Sequence, residues 1–354
     1  MRIVYVCIWL MAIGAGCQAG EKNDGALYQT TTGETMGTYY RITFQATESA
    51  SPGQRDIDSL FDQINLAVST YVPESVVSRF NHAALGISVA DIDDVYIIDV
   101  FFDNVSISFD LFRRTDGFFD PTVMPLVNFW GFGYEPRTVR SPEERQAIDS
   151  IMTWVGLTKV EWISSEPQRL QKSLPQVELD FSASAKGYAI DEVGQFLEDS
   201  YGIEHYLIDV GGEAKAKGIN ADGEVWRIGI EDPDALDIGQ AYSFILSLDN
   251  KSVATSGNYR NYYQSDGNTI SHTMNPKTGY FERNDLLSTS IVADSCAIAD
   301  GFATACMAMG FADALKMITL EPALEALFIY IDEGGSIQHF ITPGLRPYVT
   351  TRKR

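Results

Sequence analysis

Histidine, cysteine and basic side chains are all scarce in this chain of 354 residues, and each shortage closes off a class of function. The 26 Lys and Arg stand against 48 Asp and Glu, a formal net charge of −22. A surface of that sign repels phosphate backbones, so nucleic acid is not an expected partner. Only four histidines and four cysteines occur, in no zinc-binding spacing. There is no Gly-x-x-x-x-Gly-Lys-Ser/Thr loop, no Gly-x-Gly-x-x-Gly after a strand and no Gly-x-Ser-x-Gly elbow. The usual nucleotide and hydrolase signatures are therefore missing. No repeat, low-complexity tract or Pro- or Ser-rich linker follows residue 30. Beyond the N-terminus no apolar run approaches the ~20 residues that a membrane span needs. What is present is an ordinary globular composition, 45% hydrophobic and 12% aromatic.

The first residues read as a targeting segment. Arg2 supplies a positive start, and Ile3 to Ile13 is apolar but too short to span a bilayer. Gly14-Ala15-Gly16 then runs into Cys17. This resembles a bacterial lipoprotein signal, which implies cleavage after residue 16 and lipidation of Cys17; an ordinary secretory signal is the competing reading. Residues 17–29 are expected to be a lipidated tether and 30–354 the folded domain, exported and anchored to a membrane on its periplasmic side. Of the remaining cysteines, Cys296 and Cys306 fall ten residues apart on one predicted helix. That spacing separates them by about 15 Å, beyond disulfide reach. They are expected to be buried and unpaired.

Hydrophobic periodicity gives the organisation. Residues 36–46 alternate as a strand with Tyr40, Ile42 and Phe44 on one side. Gln54 to Val68 is amphipathic, with Ile57, Leu60, Phe61, Ile64, Ala67 and Val68 sharing a face. Helices are also predicted over 90–113, 141–153, 184–198, 295–309 and 311–319. Strands are predicted at Val177–Phe181, Tyr206–Val210, Val225–Ile230, Tyr242–Leu248 and Leu287–Val292. Gly117 to Gly133 reads as a folded, aromatic, glycine-rich loop. Helices and strands do not alternate one for one, so the expected class is α+β, one compact domain with mixed or antiparallel sheets.

The stretch Ser295 to Cys306 is apolar and helical, yet it carries Asp300 and Thr304 four residues apart on one face. A buried carboxylate needs a partner. Two oxygens with no Lys or Arg in the segment suit a hard cation such as Mg2+; a bond from a neighbouring backbone amide is the competing reading. Asp180 to Ala189 crosses from strand to helix and puts Lys186 in the first turn. The helix dipole disfavours a cation there, so Lys186 either faces a phosphate or is simply solvated. Asp209-Val210-Gly211-Gly212-Glu213 ends a strand in paired glycines, which allow close approach of a ligand or merely make a hairpin. His272, among hydroxyls before Pro276 and Gly279, is either a general base or a structural hydrogen-bonding group.

Taken in order, these segments resemble the ApbE family of FAD:protein FMN transferases over about residues 30–342. The carrying blocks are Met36-Gly37-Thr38, Ser69-Thr70-Tyr71 with Ser78-Arg79-Phe80-Asn81, Phe119-Asp120-Pro121-Thr122 and Trp130-Gly131-Phe132-Gly133. They continue with Asp180, Ala185-Lys186-Gly187-Tyr188, Gly211-Gly212 and Ala254-Thr255-Ser256-Gly257-Asn258-Tyr259-Arg260. The last are Ser271-His272, Pro276-Lys277-Thr278-Gly279, Ala299-Asp300 and Ala303-Thr304. Asn275 stands where the family usually has Asp, and Ser182 and Ser184 depart from the family's residues near Lys186.

The resemblance implies the chemistry. FMN passes from FAD to a Ser or Thr hydroxyl of an acceptor protein, and AMP leaves. By position, Asp300, Thr304 and the Ala183 carbonyl would hold Mg2+. Met36, Tyr71, Phe118, Phe119, Asp120, Asp180, Lys186 and Thr273 would bind FAD, and His272 would be the base. The implied acceptor is an exported or membrane redox subunit, of a quinone reductase or Rnf-type complex. A Mg2+-dependent FAD pyrophosphatase giving FMN and AMP, or a non-catalytic FAD-binding lipoprotein, would use the same site.

Overall fold

The computed structural model describes residues 27–47, 51–134, 145–165, 167–231, 242–257, 262–265, 268–271, 273–281 and 285–351. Two strands open it, β1 (Tyr28–Thr35) and β2 (Thr38–Gln45), followed by helices α1 (Gln54–Val68) and α2 (Val76–His82). A short strand β3 (Gly86–Ser88) precedes the long helix α3 (Val95–Arg114), then α4 (Met124–Phe129) and α5 (Arg145–Met152). The middle holds β4 (Val160–Ile163), β5 (Arg169–Lys172), α6 (Ala185–Tyr201), β6 (Tyr206–Val210), β7 (Glu213–Lys217), β8 (Trp226–Glu231) and β9 (Tyr242–Leu248). Then come β10 (Lys251–Gly257), β11 (Tyr262–Ser265), β12 (Asn268–Ser271) and β13 (Leu286–Ala293). The chain closes with α7 (Cys296–Met309), α8 (Phe311–Thr319), β14 (Glu325–Ile331), β15 (Ile337–Ile341) and β16 (Val349–Thr351).

Eight strands form one sheet in the order β1-β2-β6-β7-β10-β13-β14-β15. Every neighbouring pair in it is antiparallel. This is the predicted α+β class. Alternation sorts side chains between two layers. Ala254, Ile291, Ala326 and Phe328 face helices α7 and α8, while Val253, Val292, Leu327 and Ile329 pack with Trp226, Phe244 and Leu246 of the small sheet β16-β9-β8. Tyr40, Ile42 and Phe44 are buried against Ile57, Phe61 and Ile64 of α1, as the periodicity predicts. Each such side chain contributes about 1.5–3 kcal/mol by leaving water. Among the described residues no helix is long and apolar enough to cross a membrane.

Several elements differ from the sequence prediction. Tyr28 and Gln29, expected in the tether, already pair with Gln45 and Phe44, so the sheet begins earlier. The expected loop between Gly117 and Gly133 carries α4, which starts after a 3-10 turn at Pro121–Val123. The predicted strand Val177–Phe181 does not form, and the segment joins no sheet. Other groups take its backbone. Asn81 Nδ2 donates to the Leu179 carbonyl at 2.9 Å, the Leu179 N–H donates to Asn81 Oδ1 at 2.7 Å, and the Asp180 N–H donates to the Pro121 carbonyl at 2.7 Å. Buried Lys172 fastens the same stretch, its Nζ donating to the carbonyls of Asn81, Pro175 and Val177. Cys296 and Cys306 are buried and unpaired, as expected.

Candidate active site

Helices α6 and α7 pack so closely that a Cβ on Gly187 would fall 2.3 Å from the Cys296 carbonyl oxygen. Only glycine permits that approach. It lets the Gly187 N–H donate to Asp300 Oδ2 at 3.2 Å. The start of α7 is fixed by α6 as well. Asp191 Oδ1 accepts the Cys296 N–H, and its Oδ2 accepts the Ser295 hydroxyl and the Ala297 N–H, satisfying donors the helix leaves open. One turn on from Asp300, Thr304 Oγ1 lies 3.5 Å from Ser256 Oγ at the end of β10.

These residues open on a cavity of about 390 Å³ lined by Phe118, Phe119, Asp120, Asp180, Ala183, Lys186, Thr273, Asp300 and Thr304. Nine of the residues singled out by sequence thus meet at one place. Thr255, Ser256, Gly257, Gly211 and Glu213 also line it. A second cavity, of about 810 Å³, is lined by Met36, Tyr71, Asn65 and Leu66, and shares Asp180, Ser182 and Lys186 with the first. Both volumes are of the size that holds cofactors. Tyr71 is 68% exposed, a ring left free for a planar ligand. Met36 has φ +49° and Gly37 +73° in the two-residue turn between paired Thr35 and Thr38. A methionine at positive φ is strained, a cost often found at ligand sites.

The first cavity is charged. Lys186 Nζ lies 3.3 Å from Glu213 Oε1 and 3.9 Å from Asp300 Oδ2. Asp300 therefore has a cation nearby, contrary to the reading of its own segment, because Lys186 arrives from a different helix. The backbone-amide reading also holds in part, through Gly187. Burial pushes Asp300 up to about 7; Lys186 works against this shift, Glu213 adds to it and the Gly187 N–H works against it. Burial pulls the Lys186 ammonium down, but the Asp300 and Glu213 carboxylates outweigh it and its pKa is raised. Asp180 is also raised by burial, against the Ser182 amide and hydroxyl and Lys186; its Oδ1 accepts the Ser182 N–H at 2.8 Å. Asp120 is raised by burial too, and its Oδ1 caps the 3-10 turn by accepting the Thr122 N–H and hydroxyl. Part of its role is therefore structural. Phe118 carries the Lys277 ammonium 4.1 Å above its ring, beside Asp116.

The donor set fits a hard cation. Asp300 is 3% exposed, Thr304 stands one turn away, and Ala183 lies on the same wall. Carboxylate, hydroxyl and carbonyl oxygens are what Mg2+ takes. Among the described residues no cluster of three or more His, Cys, Asp or Glu is placed to hold a metal, so such an ion would depend on this mixed oxygen set. His272 and Cys17 lie outside the described residues. The three described histidines sit elsewhere: His82 bonds the Ser78 carbonyl, His205 accepts the Ile219 N–H, and His339 packs on Phe244. Sequence reasoning missed Glu213 as a site residue; its place just after Gly211-Gly212 was the available signal.

Comparison with known proteins agrees with this geometry. The ApbE family model matches residues 36–328. The chain is 32% identical over 353 residues to the FAD:protein FMN transferase of Salmonella typhimurium, covering 98% of this chain and 97% of that protein. It is 33% identical over 352 residues to the FAD:protein FMN transferase of Vibrio cholerae, covering 97% and 99%. Among solved structures, the flavin transferase ApbE from Vibrio cholerae superposes with a TM-score of 0.78 at 31% identity, covering 92% of this chain and 100% of that one.

Proposed function

The chain belongs to the ApbE family, and from that premise we propose that it is an FAD:protein FMN transferase, moving FMN from FAD to a Ser or Thr hydroxyl of an acceptor protein. One observation carries the reading. Asp300, Thr304, Ala183, Asp180 and Lys186 line a single cavity that adjoins a second one bearing an exposed aromatic ring, Tyr71. That is a site with a place for phosphates beside a place for a ring system.

In this reaction the acceptor oxygen bonds to the FMN-side phosphorus as the bond from that phosphorus to the AMP oxygen breaks. AMP leaves, and the hydroxyl proton goes to a base, which we assign to His272. Lys186, at the first turn of α6, would meet the pyrophosphate with its ammonium. Asp180 would orient the dinucleotide where the two cavities join, Tyr71 and Met36 would enclose one of its ring systems, and Phe118, Phe119, Asp120 and Thr273 would line its phosphate end. Asp300, Thr304 and the Ala183 carbonyl would hold Mg2+, which supplies charge neutralisation on the pyrophosphate.

The acceptor fits an exported redox subunit, of a quinone reductase or Rnf-type complex, met by a protein anchored through Cys17 on the periplasmic side of a membrane. Replacing Cys17 by Ser is expected to release the chain from the membrane fraction with its catalysis intact; continued tight association would remove the anchor assignment. The decisive experiment mixes the chain with FAD, Mg2+ and a candidate acceptor and follows the acceptor by mass spectrometry. A gain equal to FMN less water supports transfer. Rapid AMP release with no acceptor and no mass gain would favour the pyrophosphatase, and tight FAD binding without turnover a carrier of FAD.

A further inference from the structure

Every second residue of β7 faces α6, and three of them meet an opposite charge there. Glu213 pairs with Lys186 at 3.3 Å, Lys215 with Asp191 at 2.7 Å, and Lys217 with Glu198 at 2.7 Å. The last two put the acid on the helix and the base on the strand. The pair at the cavity runs the other way.

The helix dipole does not explain the reversal, although Asp300, 3.9 Å from Lys186, also favours a cation there. An acid at position 186 and a base at 213 would form the same pair, and the acid would sit well in the first turn of α6, where the dipole favours anions. The dipole matters more here than at the far end of the helix. Side chains of Lys186 and Glu213 are 27% and 9% exposed, against 35% and 34% for Lys217 and Glu198. A second observation points to a ligand. Glu213 is 7% exposed and lines the cavity, yet its Oε2 has no hydrogen-bond partner among the described residues. Asp191, in the neighbouring pair, uses both its oxygens. A buried carboxylate with an unused oxygen is costly unless the site has a need for it.

The geometry points to Glu213 as a positioning residue for Lys186, holding the ammonium at the cavity wall and nearer to itself than to Asp300, with N–H donors left for the phosphates of a bound dinucleotide. The cavity pair is thus polarised for a ligand, whereas the other two serve the fold. This inference rests on the reading of the cavity as an FAD site.

The test compares the mature chain with Glu213→Gln and with the exchanged pair Lys186→Glu/Glu213→Lys. Affinities for FAD and for riboflavin, which lacks phosphate, are read by flavin fluorescence, and melting temperature by calorimetry. The exchanged pair is expected to lose FAD affinity at least about tenfold, the scale of one charge-assisted hydrogen bond, and to melt below the wild type, because it sets a carboxylate beside buried Asp300. Glu213→Gln, nearly isosteric and the safer variant for folding, is expected to weaken FAD several-fold and leave riboflavin unchanged. An exchanged pair that binds FAD as well as the wild type overturns the inference, as does equal weakening of FAD and riboflavin in Glu213→Gln. A wild-type chain that fails to bind FAD at all overturns the functional reading, and this inference with it.

Discussion

The Gly187 N–H donates to the Asp300 carboxylate at 3.2 Å, a bond between residues 113 apart in the chain. It joins α6 to α7 at the cavity and sets Lys186 beside Asp300. The approach tolerates no Cβ, since the nearest atoms, at 2.3 and 2.5 Å, are backbone of Cys296 that cannot swing aside. Gly187→Ala is expected to cost about 1–3 kcal/mol as overpacking forces the helices apart. Denaturant midpoints would measure this, and transfer should fall further than stability alone accounts for. An Ala variant with wild-type stability and turnover would show that the close packing is not required.

Asp300 gives a pH signature. Burial holds its folded-state pKa at about 7, above the 3.8 of an unperturbed carboxyl. The folded state therefore binds this proton more tightly than the unfolded one, and stability falls as pH rises through that window. In the presence of a chelator, wild type should lose melting temperature progressively between about pH 4 and pH 7, and Asp300→Asn should lose less. Activity should move oppositely, rising as the carboxylate ionises, with a midpoint that shifts to lower pH at high Mg2+ because the cation competes with the proton. Asp300→Asn should be folded and inactive. A variant that turns over normally would sink the metal assignment.

Met36 holds a strained backbone at the wall of the larger cavity. Its φ of +49° next to Gly37 at +73° follows the positive-φ pair of a two-residue hairpin, where Asn-Gly is the favoured sequence. Met36→Asn should stabilise the domain by about 0.5–1 kcal/mol, since Asn tolerates the left-handed region better. Met36 lines the larger cavity, so the same variant should bind FAD more weakly. Calorimetry and a flavin titration on one sample check both; a stabilised variant with unchanged FAD affinity would remove Met36 from the binding site.

His272 carries the proton-transfer assignment. A positioned base typically contributes about 10²–10⁴-fold. His272→Ala should bind FAD normally and transfer FMN at least about a hundredfold more slowly in single-turnover assays. Loss of FAD binding with an unchanged chemical step would recast His272 as a binding residue.

Local periodicity made much of this protein legible. Helix α1 was bounded to the residue by its apolar face, and α8 likewise, because 3.6-residue spacing is a property of neighbours in sequence. The strand Tyr206–Val210 was equally clear. The ordered motifs also mark nine residues that line the smaller cavity, though not Glu213. The strand predicted at 177–181 does not form, because Asn81 and Pro121 take the hydrogen bonds that a sheet would have used. Nor could the segment around Asp300 reveal its neighbours. Lys186, Glu213 and Asp300 come from a helix start, a strand start and a second helix, and only the order of the sheet and the close approach of α6 and α7 bring their charges together. Spacing along the chain determines which face a side chain takes, whereas the charge it meets there depends on tertiary packing between distant segments.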